Sequence, residues 1–199
     1  MPKPMQEPPA SREPPLKKPP RPVSLAWLQR AALHYLESYA SSSENLRRVL
    51  RGKLDRRCRA RGEEAGPFLP LVDEVVEKAV AGGYVDDTRY AQAKVASLRR
   101  RGGSRRAIAA KLQAKGLDRE AIGAALDEID AQSERESMDE PAGGDAGETA
   151  EGVAALAYAR RRRLGPFRSR EREERRDRDI AAMMRAGFGY GVAQGVIDG

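Results

Sequence analysis

One cysteine, Cys58, and one histidine, His34, are all that 199 residues supply. A single cysteine excludes an internal disulfide and a thiolate metal cluster, and its scarcity fits a reducing compartment. Aromatic residues make up only 5% of the chain, so one large core built on rings is not expected. Small helical units that share Leu, Ile, Val and Ala contacts fit better. No apolar run approaches the ~20 residues that a helix needs to cross a bilayer. The first residues lack the apolar core of a secretory signal. The chain is therefore expected to be soluble and cytoplasmic. The motifs of catalysis are missing as well: no Walker-type phosphate loop, no Gly-x-Ser-x-Gly elbow, no Cys/His ligand set. His34, beside Tyr35, reads as a partly buried helix residue. No enzymatic activity, metal or cofactor is expected.

What the chain does have is charge. Charged residues are 34% of the total, and 37 Lys and Arg against 30 Asp and Glu leave a net +7. That balance favours acidic or polyanionic partners, chiefly nucleic acid. The charge is unevenly spread. Residues 1–24 read as a proline-rich basic tail, since nine of thirteen prolines fall in the first 23 positions with Lys17, Lys18 and Arg21. Proline at this density blocks helices and sheet ladders, so disorder is expected there, with a weak basic arm on nucleic acid as its functional reading. Residues 131–152 carry seven acids and one arginine, Arg135, and read as an acidic flexible linker.

Three helical repeats fill the rest, over residues 25–83, 84–130 and 153–199. In the first, Leu25, Leu28, Ala32, Tyr35, Leu36 and Tyr39 share one helical face. Ser41 and Glu44 have capping-box spacing and start a second helix lined by Leu46, Val49, Leu50 and Leu54. Leu71, Val75, Val76, Ala79 and Val80 mark a third, ended by Gly82 and Gly83. The second repeat is the most clearly punctuated. Asp86 caps a helix, with Val85 and Tyr90 at hydrophobic-staple positions, and Asp87 is read as part of the same cap. Tyr90, Ala93, Lys94, Ser97 and Leu98 share a side. Gly102 and Gly103 break the helix, Ser104 caps the next, and Ile108 and Leu112 point inward. Gly116 suits the left-handed residue after a helix end, Leu117 folds back, and Asp118 caps a helix carrying Ile122. In the third repeat, Val153, Leu156, Ala157 and Leu164 mark one helix, residues 171–186 a second, and residues 188–197 a third. The run Ile108-Ala-Ala-Lys-Leu112 with Gly116-Leu117 matches Ile180-Ala-Ala-Met-Met184 with Gly187-Phe188. Ser42-Leu46-Leu50 echoes Ser104-Ile108-Leu112. The fold class is therefore all-α, an elongated row of three tandem three-helix units, which exposes long surfaces to a partner instead of enclosing one deep pocket.

The arginine clusters carry the functional signal. Arg99, Arg100 and Arg101 end a helix, where cations suit the dipole. Arg105 and Arg106 lie in the first turn of the next, where the dipole disfavours them. An anion at the Gly-Gly-Ser helix start, a phosphate or a partner carboxylate, would offset that conflict. Arg160, Arg161, Arg162 and Arg163 end another helix. At 100° per residue no more than two or three of them can face one partner. The arginines of the first unit are more scattered, and the acids that alternate with arginine over residues 168–178 read as a solvated helix held by i,i+4 pairs.

The residues Gly83-Tyr84-Val85-Asp86-Asp87, Tyr90-Ala91, Arg99, Gly102, Gly103, Ile108, Leu112, Gly116-Leu117 and Ile122, with the Arg185-Ala-Gly187-Phe188 ending, resemble the RecX family of RecA regulators. The resemblance spans about residues 25–197 and is most specific in the middle unit. It implies a curved all-α row of three-helix repeats that binds RecA, lodges in the groove of the RecA–DNA filament and inhibits its ATPase, strand exchange and coprotease activities. Some members also bind DNA. Carried over, a concave basic surface would include Arg99, Arg100, Arg101, Arg105, Arg106 and Lys111; the run Arg160, Arg161, Arg162 and Arg163, read from the sequence itself, is expected on the same RecA- and DNA-binding surface. Tyr84, Asp86, Asp87 and Tyr90 would be scaffold. The expected partners are the RecA filament and DNA, with no membrane, and the chain is expected to be a monomer. The proline-rich tail and the acidic insertion depart from the family pattern. The alternative is a general DNA-binding protein that grips the phosphate backbone without RecA.

Overall fold

The computed structural model describes residues 20–138 and 149–199, and among these every regular element is helical. Most of the expected tail and the centre of the expected linker lie outside the described residues. Unit one contains α1 (Leu25–Leu36), α2 (Ser43–Arg61) and α3 (Leu69–Ala81), with a short 3-10 turn at Gly66–Phe68 before α3. Unit two contains α4 (Asp87–Arg100), α5 (Arg105–Gln113) and α6 (Arg119–Met138); unit three contains α7 (Ala150–Arg162), α8 (Arg176–Arg185) and α9 (Tyr190–Asp198).

Side-chain caps set most of the helix starts. Ser24, Ser42, Asp86, Ser104 and Thr149 each accept the N–H three residues on, which satisfies one of the donors a helix start leaves free. Ser42, not Ser41, caps α2. Ser41 is buried, donates to the Ser42 carbonyl at 3.1 Å and accepts from Asn45 Nδ2 at 2.8 Å. Asp118 Oδ2 caps α6 through the Glu120 and Ala121 N–H groups. At the end of α5, Gly116 takes φ +79 and the Leu117 N–H reaches back to the Leu112 carbonyl at 3.2 Å, so both Gly116 and Leu117 do what the spacing predicts.

Each unit buries its own apolar cluster. Unit one packs Leu28, Leu46, Leu50, Leu54, Val72 and Val76. Unit two packs Ala91, Val95, Ile108, Leu112, Leu117 and Ile122, and unit three packs Ala155, Ala159, Ile180, Met183, Phe188 and Val196. A fully buried aliphatic side chain of this kind contributes roughly 1.5–3 kcal/mol. Several expected faces are rotated. Val72 turns inward and Val80 is exposed in α3; Ala91 and Val95 are buried where Ala93 is exposed in α4; Met183 is buried where Met184 is exposed in α8.

Two boundaries differ from the sequence reading. Helix α6 continues through residues 131–138, because that stretch has no glycine or proline to stop it. Thr149 starts α7 at Ala150, so both ends of the expected linker are helical. Helix α8 begins only at Arg176: Glu171 has φ +55 and Arg168 is drawn aside to Asp179, so the predicted helix over 171–175 is a run of turns.

The junctions repeat. In unit one, the capping Ser42 hydroxyl donates to the Lys115 carbonyl of unit two, just before Gly116. In unit two, the capping Ser104 hydroxyl donates to the Ala186 carbonyl of unit three at 2.7 Å, just before Gly187. A carboxylate from the first turn of the following unit also accepts the first N–H of the middle helix. Asp87 takes the Ser43 N–H at 2.7 Å, and Glu151 takes the Arg105 N–H at 3.2 Å.

Candidate functional site

The arginines that the sequence groups together divide into two kinds. Arg99 lies on the inward face of α4, with 7% of its side chain exposed. Its guanidinium donates to both Asp130 oxygens, at 2.8 and 2.6 Å, to the Glu151 carboxylate at 2.5 Å and to the Gly103 carbonyl at 3.1 Å. Arg105 donates to Asp130 at 2.6 Å and to Asp127 at 2.5 Å. Its hydrogen bond to Asp127 outweighs burial and, with Asp130, holds the guanidinium above its ordinary pKa. Two cations thus face three carboxylates. Arg99 is buried within this network, and Arg105 joins it with 42% of its side chain still exposed.

That network also resolves the conflict at the start of α5. The sequence calls for an anion there, and Glu151 supplies it from within the chain, with the Arg105 N–H pointing at its carboxylate. Asp130 and Glu151 are the residues that sequence reasoning missed. Asp130 sits eight residues after Ile122 on α6, on the side of the helix that packs inward. Glu151 falls inside the stretch read as linker, so no periodicity marks it.

The second kind is exposed. Arg100, Arg101, Arg106, Lys111, Arg160, Arg161, Arg162 and Arg163 all face solvent, and none forms an ion pair with a described residue. The fold draws the two runs of arginine together. Gly102, at φ +73, lies so close to α7 that a Cβ there would come within 2.5 Å of the Tyr158 nitrogen and 2.8 Å of the Ala154 carbonyl. The Arg100–Arg101 end of α4 is thereby set against α7. On α7, Arg161 and Arg162 lie 5.8 and 5.9 Å from the Tyr158 ring, and Arg160 lies 5.9 Å from Phe167. Such contacts orient a guanidinium and leave its donors free. Arg106 lies at the other contact between the units, where its Cβ is 3.4 Å from the Cβ position of Gly187.

Elsewhere some cations are paired, whereas others, among them Arg59, Arg89, Arg119, Arg178 and Arg185, are exposed with no ion pair to a described residue. Arg47 pairs with Glu44 and Asp73, Arg61 with Glu63, Arg168 with Asp179 and Arg176 with Asp198, and Arg57 stacks over Trp27. Glu171 pairs with Arg175 as its spacing predicts. His34 is exposed beside Glu37, not partly buried. Asp87 is more than a cap residue, since it ties α4 to Ser43 of unit one. No helix among the described residues is long and apolar enough to cross a membrane, and no acid, His or Cys group among them could hold a metal ion.

The family model described as RecX, second three-helix domain, matches residues 86–126. Regulatory protein RecX of Myxococcus xanthus (strain DK1622) is 43% identical over 183 residues, covering 91% of this chain and 89% of that protein. Regulatory protein RecX of Agrobacterium fabrum (strain C58 / ATCC 33970) is 33% identical over 178 residues, 87% of this chain and 83% of that protein. Regulatory protein RecX of Mycobacterium ulcerans (strain Agy99) is 41% identical over 105 residues, 49% of this chain and 61% of that protein. No solved structure matches.

Proposed function

Because the chain belongs to the RecX family, we propose that its regulatory role is exerted on RecA–DNA filaments, by binding and not by catalysis. The observation that supports this reading is the exposed edge of Arg100, Arg101, Arg106, Lys111, Arg160, Arg161, Arg162 and Arg163, free of ion pairs among the described residues. Cations on a row of small units can meet carboxylates or phosphates on several neighbouring partners at once. Seated in the filament groove, the row bridges adjacent protomers and DNA. It then opposes filament extension and the subunit movements that accompany ATP turnover, and strand exchange and coprotease activity fall with the ATPase. Arg99 takes no direct part, because it is buried and its donors are used within the chain.

The test is the DNA-dependent ATPase of the cognate RecA, titrated with this protein, with DNA binding measured alone at the same salt. Inhibition at concentrations too low to coat free DNA supports a filament-directed regulator. Inhibition confined to concentrations that saturate DNA would instead favour a phosphate-backbone binder that competes for the strand, with log affinity falling steeply against log salt.

A further inference from the structure

We propose that unit one carries a binding site of its own: a groove between α1 and α2 that takes a single strand of nucleic acid, with phosphates on a rim of cations and a base stacked on the Arg57–Trp27 pair. The site is separate from the arginine edge of units two and three and does not rest on the filament reading.

The sequence sets two stripes face to face. Trp27, Arg30 and His34 recur at i, i+3 and i+7 on α1, and Lys53, Arg56 and Arg57 at i, i+3 and i+4 on α2. Together they line one open groove of about 480 Å³, with Pro20 at its edge. No carboxylate is among the lining residues, and Glu37 approaches only His34, at 3.6 Å. Arg30, Lys53, Arg56 and Arg57 form no ion pair with a described residue. Four cations around one groove concentrate a positive potential that draws a polyanion. Residues 14–19, which lead into Pro20, hold Lys17 and Lys18 and no acid, so that stretch supplies no counter-charge.

Charge alone suits any polyanion, and the aromatic ring narrows the class. Trp27 packs against the core of unit one, which fixes the ring. The Arg57 guanidinium carbon lies 4.2 Å from the ring centroid, and its Nε donates to the Arg21 carbonyl at 2.7 Å. Arg61 holds the adjoining Pro20 carbonyl at 2.6 Å. Ring and backbone therefore position this guanidinium before any ligand arrives. A guanidinium plane stacks on a base as an aromatic ring does, and its remaining N–H groups reach phosphate. An acidic peptide would use the charges and leave the stacking plane idle.

Trp27 is the single tryptophan of the chain, so its fluorescence reports on this groove alone. The test is a titration of the full chain with a six-nucleotide oligothymidylate at low salt. Saturable quenching of Trp27 is expected, with log affinity falling linearly against log salt. Arg30 and Arg56 are both exposed, so Arg30→Ser with Arg56→Ser should keep the fold. That double variant should lower the salt slope by about 1.4, the share of two phosphate contacts on a single strand. Arg57→Lys keeps the charge but removes the plane, and should weaken binding at least about fivefold, the lower bound for one stacked base. Arg160→Ser with Arg161→Ser, on unit three, should leave the Trp27 midpoint within about twofold. Absence of saturable quenching overturns the proposal, as does an unchanged slope in the Arg30 and Arg56 double variant. Equal affinity for a six-residue polyglutamate, or undiminished binding in Arg57→Lys, also overturns it, because the groove would then be a site for acidic chains in general.

Discussion

Replacing Arg99 by methionine keeps much of the side-chain volume and the helix propensity of α4 but deletes the guanidinium. Asp130 and Glu151 then lose their shared cation inside the molecule. Removing one partner of a buried ion pair costs about 3–5 kcal/mol. The lower end applies here, because Asp130 still receives the Arg105 guanidinium at 2.6 Å and Glu151 still receives the Arg105 N–H. For a protein of this size, about 3 kcal/mol corresponds to a fall in melting temperature of roughly 6–12 °C. Arg100 is its neighbour in sequence but is exposed and free of ion pairs among the described residues, so Arg100→Met should change stability by less than about 0.5 kcal/mol. The assay is urea unfolding of both variants followed by helical circular dichroism, with the RecA ATPase titration run at a temperature where both are folded. Arg100→Met should weaken inhibition with stability intact, and Arg99→Met should inhibit nearly as the native protein does. A loss below about 1 kcal/mol in Arg99→Met would refute the internal assignment of this arginine. Equal losses of inhibition in the two variants would refute the division of the cluster.

Three further outcomes are expected. Arg106→Glu places an acid in the first turn of α5, where it is favoured by about 0.3–1 kcal/mol, and should lower inhibition at unchanged or raised stability; Arg105→Glu, set among Asp127, Asp130 and Glu151, should destabilise the chain instead, and thermal melts of the two separate these effects. Gly116→Val combines a left-handed backbone, worth about 1–2 kcal/mol to a residue with a Cβ, with a collision against Glu44 Cβ and Cγ; equal melting temperatures for variant and native protein would contradict the junction described above. Burial pushes the Asp179 carboxyl up, but its bonds from Arg168 and from the Gly165 N–H, with the charges of Arg168 and Arg175, outweigh this and hold it below its ordinary value. Its contribution is therefore fully present above the unfolded-state value of about 4 and is lost as the pH falls through the lower folded-state value; Asp179→Asn should be less stable at neutral pH and flatter across the acid range, as read by urea midpoints.

Much of the architecture was legible because it is written in caps and stops. Ser104, Gly116 and Asp118 lie within fifteen residues, and each marks a helix end by local chemistry that burial elsewhere does not alter. Faces were less legible. In α4, Ala93 and Ala91 are equally plausible inward residues by size, and only the partner helix α6 decides between them. The site was half legible. Arg99 and Arg100 are identical in type and adjacent, yet one turns inward to Asp130 and the other to solvent, a difference set by 100° of helix rotation and by an acid 31 positions away. Glu151 was hidden by composition: a stretch that is acidic on average contained the one carboxylate with a fixed address.

The serine that opens each middle helix works as a plug, and the carbonyl before the glycine of the next unit is its socket. Ser42 and Ser104 are plugs, but the corresponding place before α8 holds Arg175, which makes no capping bond. The stacking rule therefore has no third application. The front of α8 offers a guanidinium, and not a hydroxyl, at the place where the other two middle helices hold their neighbour, so this face of unit three is chemically unlike the faces that stack.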